Sequence, residues 1–180
     1  AVHGTPGYPM QVYINHFRWC PEHLIGWHWH PELEITVVLS GEVEISFSST
    51  SFRLKAGEGV FINANAMHKQ AALPVDGEYP VLATICFLPE LVCGNTDDLI
   101  YRKYVLPVVS DKALRCIRLS PDLPRQNDII ESVRKICALS DGQNFGFEMR
   151  CRIMIGGLWL GVCEEIGEKS HEPPDRGALI

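Results

Sequence analysis

The stretch Trp27-His28-Trp29-His30-Pro31-Glu32-Leu33-Glu34 leads straight into an Ile35–Leu39 run suited to a strand. In an extended chain alternate side chains share a face, so His28, His30 and Glu34 have one parity and point one way. Two imidazoles and a carboxylate meeting at a point make three-quarters of a metal site. Further on, after Phe61-Ile62-Asn63-Ala64-Asn65-Ala66-Met67, His68 is placed to supply a fourth ligand from a neighbouring strand. Three His and one Glu suit one divalent transition metal, Zn, Ni, Fe or Mn, and the pattern does not choose among them. An isolated His-x-His is more often surface or hydrogen-bonded core; the added Glu, turn glycine and later His make this pattern far more specific. By the same parity Thr36 and Val38 face inward. His28, His30, Glu34, Thr36, Val38 and His68 are therefore the candidate ligand-binding lining, with Trp27 and Trp29 on the opposite face. Buried polar groups left unpaired cost about 1–3 kcal/mol each, so a metal, ordered waters or a polar effector should satisfy them.

Short β-rich runs must position these residues. Val12–Phe17, Leu33–Leu39, the alternating Val43, Ile45 and Phe47, Ser51–Leu54, Val60–Ile62 and Val81–Leu88 read as strands. Ser40-Gly41 between two such runs is a hairpin signal. Close, regular spacing of short strands predicts an antiparallel sandwich or barrel. Residues 89–120 read poorly, with Leu99–Val105 either a short helix or a last strand. Past residue 120 the period lengthens. Pro121 and Pro124 mark a helix entry, and Ile129, Val133, Ile136 and Cys137 form one apolar face that stops at Asp141-Gly142. A second helix runs from about Phe147 to Lys169, with Cys151, Ile155, Leu158 and Val162 as its stripe and Trp159 alongside. Its Gly156-Gly157 pair marks a kink, a close helix approach or tolerated sequence drift. The two helices can cover an open barrel face or pair with a second chain. Residues 1–120 are thus read as a barrel with an N-terminal arm, 121–170 as a helical pair and 171–180 as a tail. Val2–Gln11 reads as a mobile arm or a disordered end.

Composition bounds the partners. With 180 residues and 46% hydrophobic content the chain can bury a real core. No apolar run approaches the length needed to cross a bilayer. Sixteen Lys plus Arg against twenty-two Asp plus Glu give a net charge of −6 with no basic cluster, which argues against nucleic-acid binding by these residues. Seven scattered cysteines without a Cys-x-x-Cys read as reduced thiols in a cytoplasmic protein.

The pattern resembles the cupin family. His28, His30, Glu34 and Gly41 stand at the spacing of its first motif; Gly57 and His68 stand in register with its second, where Asn63, Asn65 and Ala72 replace the family's Pro, Gly and Asn. The first motif's leading Gly is Glu22. The resemblance implies a mainly β, cupin-type double-stranded β-helix (jelly-roll) barrel followed by two C-terminal α-helices. Together with "LKAGEGVFINANAMHK" and the helical pair, nearly the whole chain is similar to the N-terminal sensor domain of AraC/XylS-type transcription regulators. That likeness implies a non-enzymatic, effector-sensing and dimerising domain binding a sugar or other metabolite in the barrel. It makes a homodimer the expected state, with Cys151, Ile155, Leu158, Trp159 and Val162 as the dimerisation stripe. DNA would be reached only through a C-terminal helix-turn-helix domain absent from this chain, which opens without an initiator Met and stops at Ile180, as an excised domain would; no membrane is involved. The alternative is a metal-dependent cupin enzyme, a dioxygenase or isomerase, whose metal on the same quartet acts as Lewis acid or oxygen activator.

Overall fold

The structure, a computed structural model, describes residues 4, 5, 7–140 and 145–169. Among the described residues nine strands form two antiparallel sheets. The five-stranded sheet runs β1 (Met10–His16), β8 (Val81–Phe87), β3 (Leu33–Ser40), β6 (Gly59–Ile62), β9 (Cys116–Leu119). The four-stranded sheet runs β2 (Leu24–His28), β7 (His68–Leu73), β4 (Glu42–Phe47), β5 (Thr50–Lys55). This is the cupin-type sandwich expected from the sequence. The predicted tail and the predicted helix stop at Asp141-Gly142 lie outside the described residues, as do Val2, His3 and Pro6 of the arm.

Ser40-Gly41 is not a hairpin. Strand β3 pairs with β6 and β8 while β4 pairs with β5 and β7, so this turn carries the chain from one sheet to the other. Gly41 is needed there: its φ is +72°, and a Cβ would come within 2.9 Å of the Pro80 Cα. The tight hairpin joins β4 to β5 instead, with Phe47 opposite Thr50.

Each strand of the large sheet divides its side chains between two interiors. From β3 and β8, Leu33, Ile35, Val37, Ala83, Ile85 and Phe87 belong to an apolar cluster shared with the helices. The alternate residues face the second sheet, where Val38, Val43, Ile45, Phe47, Leu54, Val60, Ile62 and Leu82 close the far part of the barrel.

Short helices fill the segment that the sequence left open: α1 (Glu90–Cys93), a π-helical turn at Tyr101–Val105, and α2 (Leu106–Val109). Helices α3 (Pro124–Ser140) and α4 (Phe147–Lys169) then cross the outer face of the large sheet. Trp159 is the anchor, edge-on to Phe61 and Phe87 with ring centroids 5.9 and 6.4 Å away. The close helix approach falls at Gly161, where a Cβ would stand 3.3 Å from Ile129 Cγ1; at Gly156 and Gly157 it would meet nothing within 4 Å. Gln126 ties the junction together, accepting from the Ser120 backbone N–H at 2.8 Å and donating to Glu165 at 2.8 Å. Among the described residues no helix is long and apolar enough to cross a membrane.

Candidate metal and ligand site

His28, His30, Glu34 and His68 do converge: their ligand atoms all lie within 4.8 Å of one another. Simple alternation along one strand is not what brings them together. His28 ends β2 in the small sheet, whereas Glu34 sits in β3 of the large one, and the chain crosses between the sheets at 29–32. Within β2 a bulge inserts one residue, since Ile25 pairs with Gln70 and His28 with His68. The extra residue flips the parity, turning His28 inward beside Ile25 and leaving Trp27 outside. His68 opens β7 directly opposite His28.

The hydrogen bonds fix which nitrogen each histidine presents. Nδ1 of His28, His30 and His68 meets the backbone carbonyls of Gly26, Glu32 and Ala66 at 2.8, 3.1 and 2.8 Å. A carbonyl only accepts, so each Nδ1 carries the hydrogen and each Nε2 is directed to the centre. The Glu32 carboxylate, fully buried, adds a contact at 3.5 Å to His30 Nδ1. Glu34 divides its two oxygens. Oε1 accepts from Thr36 Oγ1 at 2.7 Å and Gln70 Nε2 at 2.8 Å. Oε2 faces His30 Nε2 at 3.1 Å and His68 Nε2 at 3.4 Å.

Such a knot of lone pairs needs a shared cation, either protons or a metal ion. The titration behaviour follows. Burial pushes the Glu34 carboxyl up, but hydrogen bonds from His30 and His68 outweigh it and hold the group well below the usual carboxylate range. Burial pushes His68 down, yet the hydrogen bond and charge of Glu34 raise it overall. Burial and the neighbouring His68 lower His28. The donor set fits a metal: bonds of about 2.1 Å put neighbouring ligands roughly 3 Å apart, and His30 Nε2 and His68 Nε2 stand 3.1 and 3.4 Å from Glu34 Oε2.

Above the quartet lies a cavity of about 190 Å³ lined by Tyr13, Asn15, Ile25, His28, His30, Glu34, Gln70, Thr84 and Cys86. Cys86 Sγ is 4.0 Å from Glu34 Oε2, and burial, with Glu34 and Glu32 nearby, pushes its thiol well up and keeps it neutral. Of the residues expected from sequence, Thr36 sits beneath the site as a donor to Glu34. Val38 faces the same interior but is packed in the apolar far part of the barrel, away from the cavity lining. Trp27 and Trp29 are exposed, with the Lys69 ammonium 5.4 Å over the Trp27 ring.

The dimerisation stripe needs correction. Cys151, Ile155, Leu158, Trp159 and Val162 are buried within this one chain, packed on the large sheet. An apolar helical stripe does not say which surface covers it, and the outer face of the sheet does so here. Sequence reasoning missed Glu32, Gln70, Thr84 and Cys86. Gln70 carried a usable signal, since it lies two residues past His68 and shares its face of the strand; Thr84 and Cys86 carried none.

A family profile described as "Cupin domain" matches residues 15–73, a span that takes in all four members of the quartet. The chain is 22% identical over 160 residues to YdeC of Bacillus subtilis (strain 168), described as an uncharacterized HTH-type transcriptional regulator. That match covers 89% of this chain and 53% of the relative, so the chain spans about half the relative's length. The solved structure of a single-residue variant of apo ToxT from Vibrio cholerae strain SCE256 shares the fold over 92% of this chain and 59% of its own, with a TM-score of 0.55 and 11% identity. The structure of a point mutant of the oxalate decarboxylase OxdC from Bacillus subtilis overlaps 36% of this chain and 18% of its own at 16% identity, with a TM-score of 0.33.

Proposed function

We propose that this chain is the effector-sensing and dimerising part of a transcription regulator, binding a small molecule in the barrel beside a metal held by His28, His30, Glu34 and His68. The observation that carries this reading is the match along 89% of the chain to a protein described as an HTH-type transcriptional regulator. DNA contact would belong to the part of such a protein that this chain does not span, in keeping with a net charge of −6 here. A metal on the quartet would supply Lewis acidity toward an oxygen ligand.

The sheet supplies the physical link between ligand and helices. On β8, Thr84 and Cys86 line the cavity while the alternate residues Ala83, Ile85 and Phe87 pack beneath the helices. On β1, Tyr13 and Asn15 line the cavity while Met10 packs outward. Just ahead of β1, Tyr8 donates to the Glu148 carbonyl at 3.4 Å and stacks obliquely on Phe147, at the start of α4. A ligand that prefers one setting of β1 and β8 shifts the helices by its difference in affinity between the two settings.

Dimerisation then falls to the outward side of α4. Met149, Ile153 and Leu160 are exposed there at helical spacing around the open Gly157, and a second copy of this chain would cover them. Sedimentation of the wild-type chain and of Ile153→Glu tests this. A dimer that dissociates on substitution without loss of fold is expected, and a wild-type monomer at every concentration would refute it.

The ready-made ligand quartet favours a second reading, a metal-dependent cupin enzyme such as a dioxygenase or isomerase. Screening a metabolite library by thermal shift against the metal-loaded chain separates the two readings. A sensor is stabilised by its ligand and returns it unchanged; an enzyme consumes it.

A further inference from the structure

We infer that the cavity above the quartet takes a small neutral polyol, received by two acceptor oxygens, Gln70 Oε1 and Thr84 Oγ1; this rests on the small-molecule sensing reading. The direction of the hydrogen bonds carries the inference. Thr36 has one hydroxyl hydrogen and gives it to Glu34 Oε1 at 2.7 Å. The 2.9 Å contact between Thr36 and Thr84 must therefore run from Thr84 to Thr36. Gln70 gives an amide hydrogen to the same carboxylate oxygen at 2.8 Å. Its orientation is settled by that partner, because a carboxylate bound to a metal has no hydrogen to offer in return.

The result is a chain in which Thr84 donates to Thr36, and both Thr36 and Gln70 donate to Glu34. Two acceptors are left on residues that line the cavity. Gln70 Oε1 is buried with no partner, and among the described residues nothing donates to Thr84 Oγ1, whose bond to Thr36 uses its own hydrogen. An acceptor buried in this way calls for a donor. A bare carboxylate ligand cannot provide one, whereas a hydroxyl gives its hydrogen and keeps its own lone pairs. None of the described residues lining the cavity is Lys or Arg, so apart from the quartet and its metal no side chain there would pair with an anionic ligand. The volume, about 190 Å³, is the space of roughly six waters, a fit for a short polyol rather than a fused ring system.

The test uses the 180-residue chain loaded with zinc, with erythritol, xylitol and ribose as one arm and succinate and glutarate, of similar size but without hydroxyls, as the other. Calorimetry and thermal shift are expected to detect the first arm more strongly than the second, whose carboxylates can meet the zinc but give Gln70 Oε1 and Thr84 Oγ1 no hydrogen. Thr84→Val keeps the side-chain shape, and at saturating zinc, with loading checked by metal analysis, it should weaken polyol binding about tenfold. Thr84→Ser should bind as wild type. Binding of the dicarboxylates in place of the polyols would overturn the inference while leaving the sensing reading intact. Polyol binding unchanged in Thr84→Val would overturn it as well. Silence from both arms and from a broad metabolite library would end the sensing reading, and this inference with it.

Discussion

Strand β3 borders two interiors that differ in kind. Leu33, Ile35 and Val37 face the helices in a dry cluster whose buried members are all apolar or Cys. Glu34 and Thr36, between them, face a carboxylate-centred hydrogen-bond network that stays open to a cavity. All of these side chains are buried, so burial alone does not separate the two sides. Chemistry does. The helix side holds the fold by apolar burial, roughly 25 cal/mol per Å², and tolerates no gap. The barrel side spends its polar groups on orientation: each histidine and both Glu34 oxygens have a fixed partner, which is what a metal or ligand site requires.

The largest effect should come from emptying the dry side. Trp159→Ala removes the side chain that fills the space against Phe61 and Phe87, and it should cost about 4 kcal/mol of unfolding free energy by chemical denaturation. Metal affinity should stay near wild type at temperatures where the variant remains folded. A loss below about 1 kcal/mol would mean that the helices are not seated on the sheet as described.

The barrel side should respond in the opposite way. Glu34→Gln is expected to lower metal affinity by more than about a hundredfold, because even outer partners of metal ligands are worth ten- to a hundredfold. Thr36→Val, which removes one such partner, should fall in that ten- to hundredfold range by competition with a chelator. The pH dependence has a definite sign. His68 must lose its proton to bind a metal, and Glu34 raises its pKa above 6.5. Metal affinity should therefore start to fall while the pH is still above 6.5 and decline about tenfold per unit for each proton displaced. In the metal-free chain the same raised pKa contributes stability that is complete below 6.5 and is lost as the pH climbs through the folded value. Metal loading should reverse that alkaline loss, which thermal unfolding from about pH 5 to about pH 9, with and without zinc, would detect.

The same contrast governs how much could be read in advance. The dry side announces itself by period: Leu33, Ile35 and Val37 on β3 and the stripes of α3 and α4 follow from apolar spacing. Spacing could not say that the α4 stripe is covered by the chain's own sheet. The quartet was legible from residue type and order, but its geometry was not. It depends on the bulge between Ile25 and His28 and on a crossing between sheets at 29–32, neither of which leaves a pattern in the sequence. Strand β7, His-Lys-Gln-Ala-Ala-Leu, hides because its inward face carries His68 and Gln70 in place of large apolar residues. The segment from Glu90 to Val109 folds into helices of one turn or so, too short to display a helical period.

The smallest effect belongs to the outward side of α4, where neither interior reaches. Gly157 lies in mid-helix with nothing within 4 Å of the place an added methyl would take, whereas at Gly161 the same methyl would stand 3.3 Å from Ile129. In an isolated chain Gly157→Ala should therefore raise stability by up to about 1 kcal/mol, the ordinary difference in helix propensity. Gly161→Ala should gain less, because Ile129 must shift to admit the methyl. A second copy packed on Met149, Ile153 and Leu160 changes the sign at Gly157 alone. There the added methyl would push against the partner, so the gain seen at low concentration should shrink as the chain associates. Unfolding of both variants measured across a range of protein concentrations separates the cases. A gain at Gly157 that is independent of concentration would mean that this face of the helix stays in water.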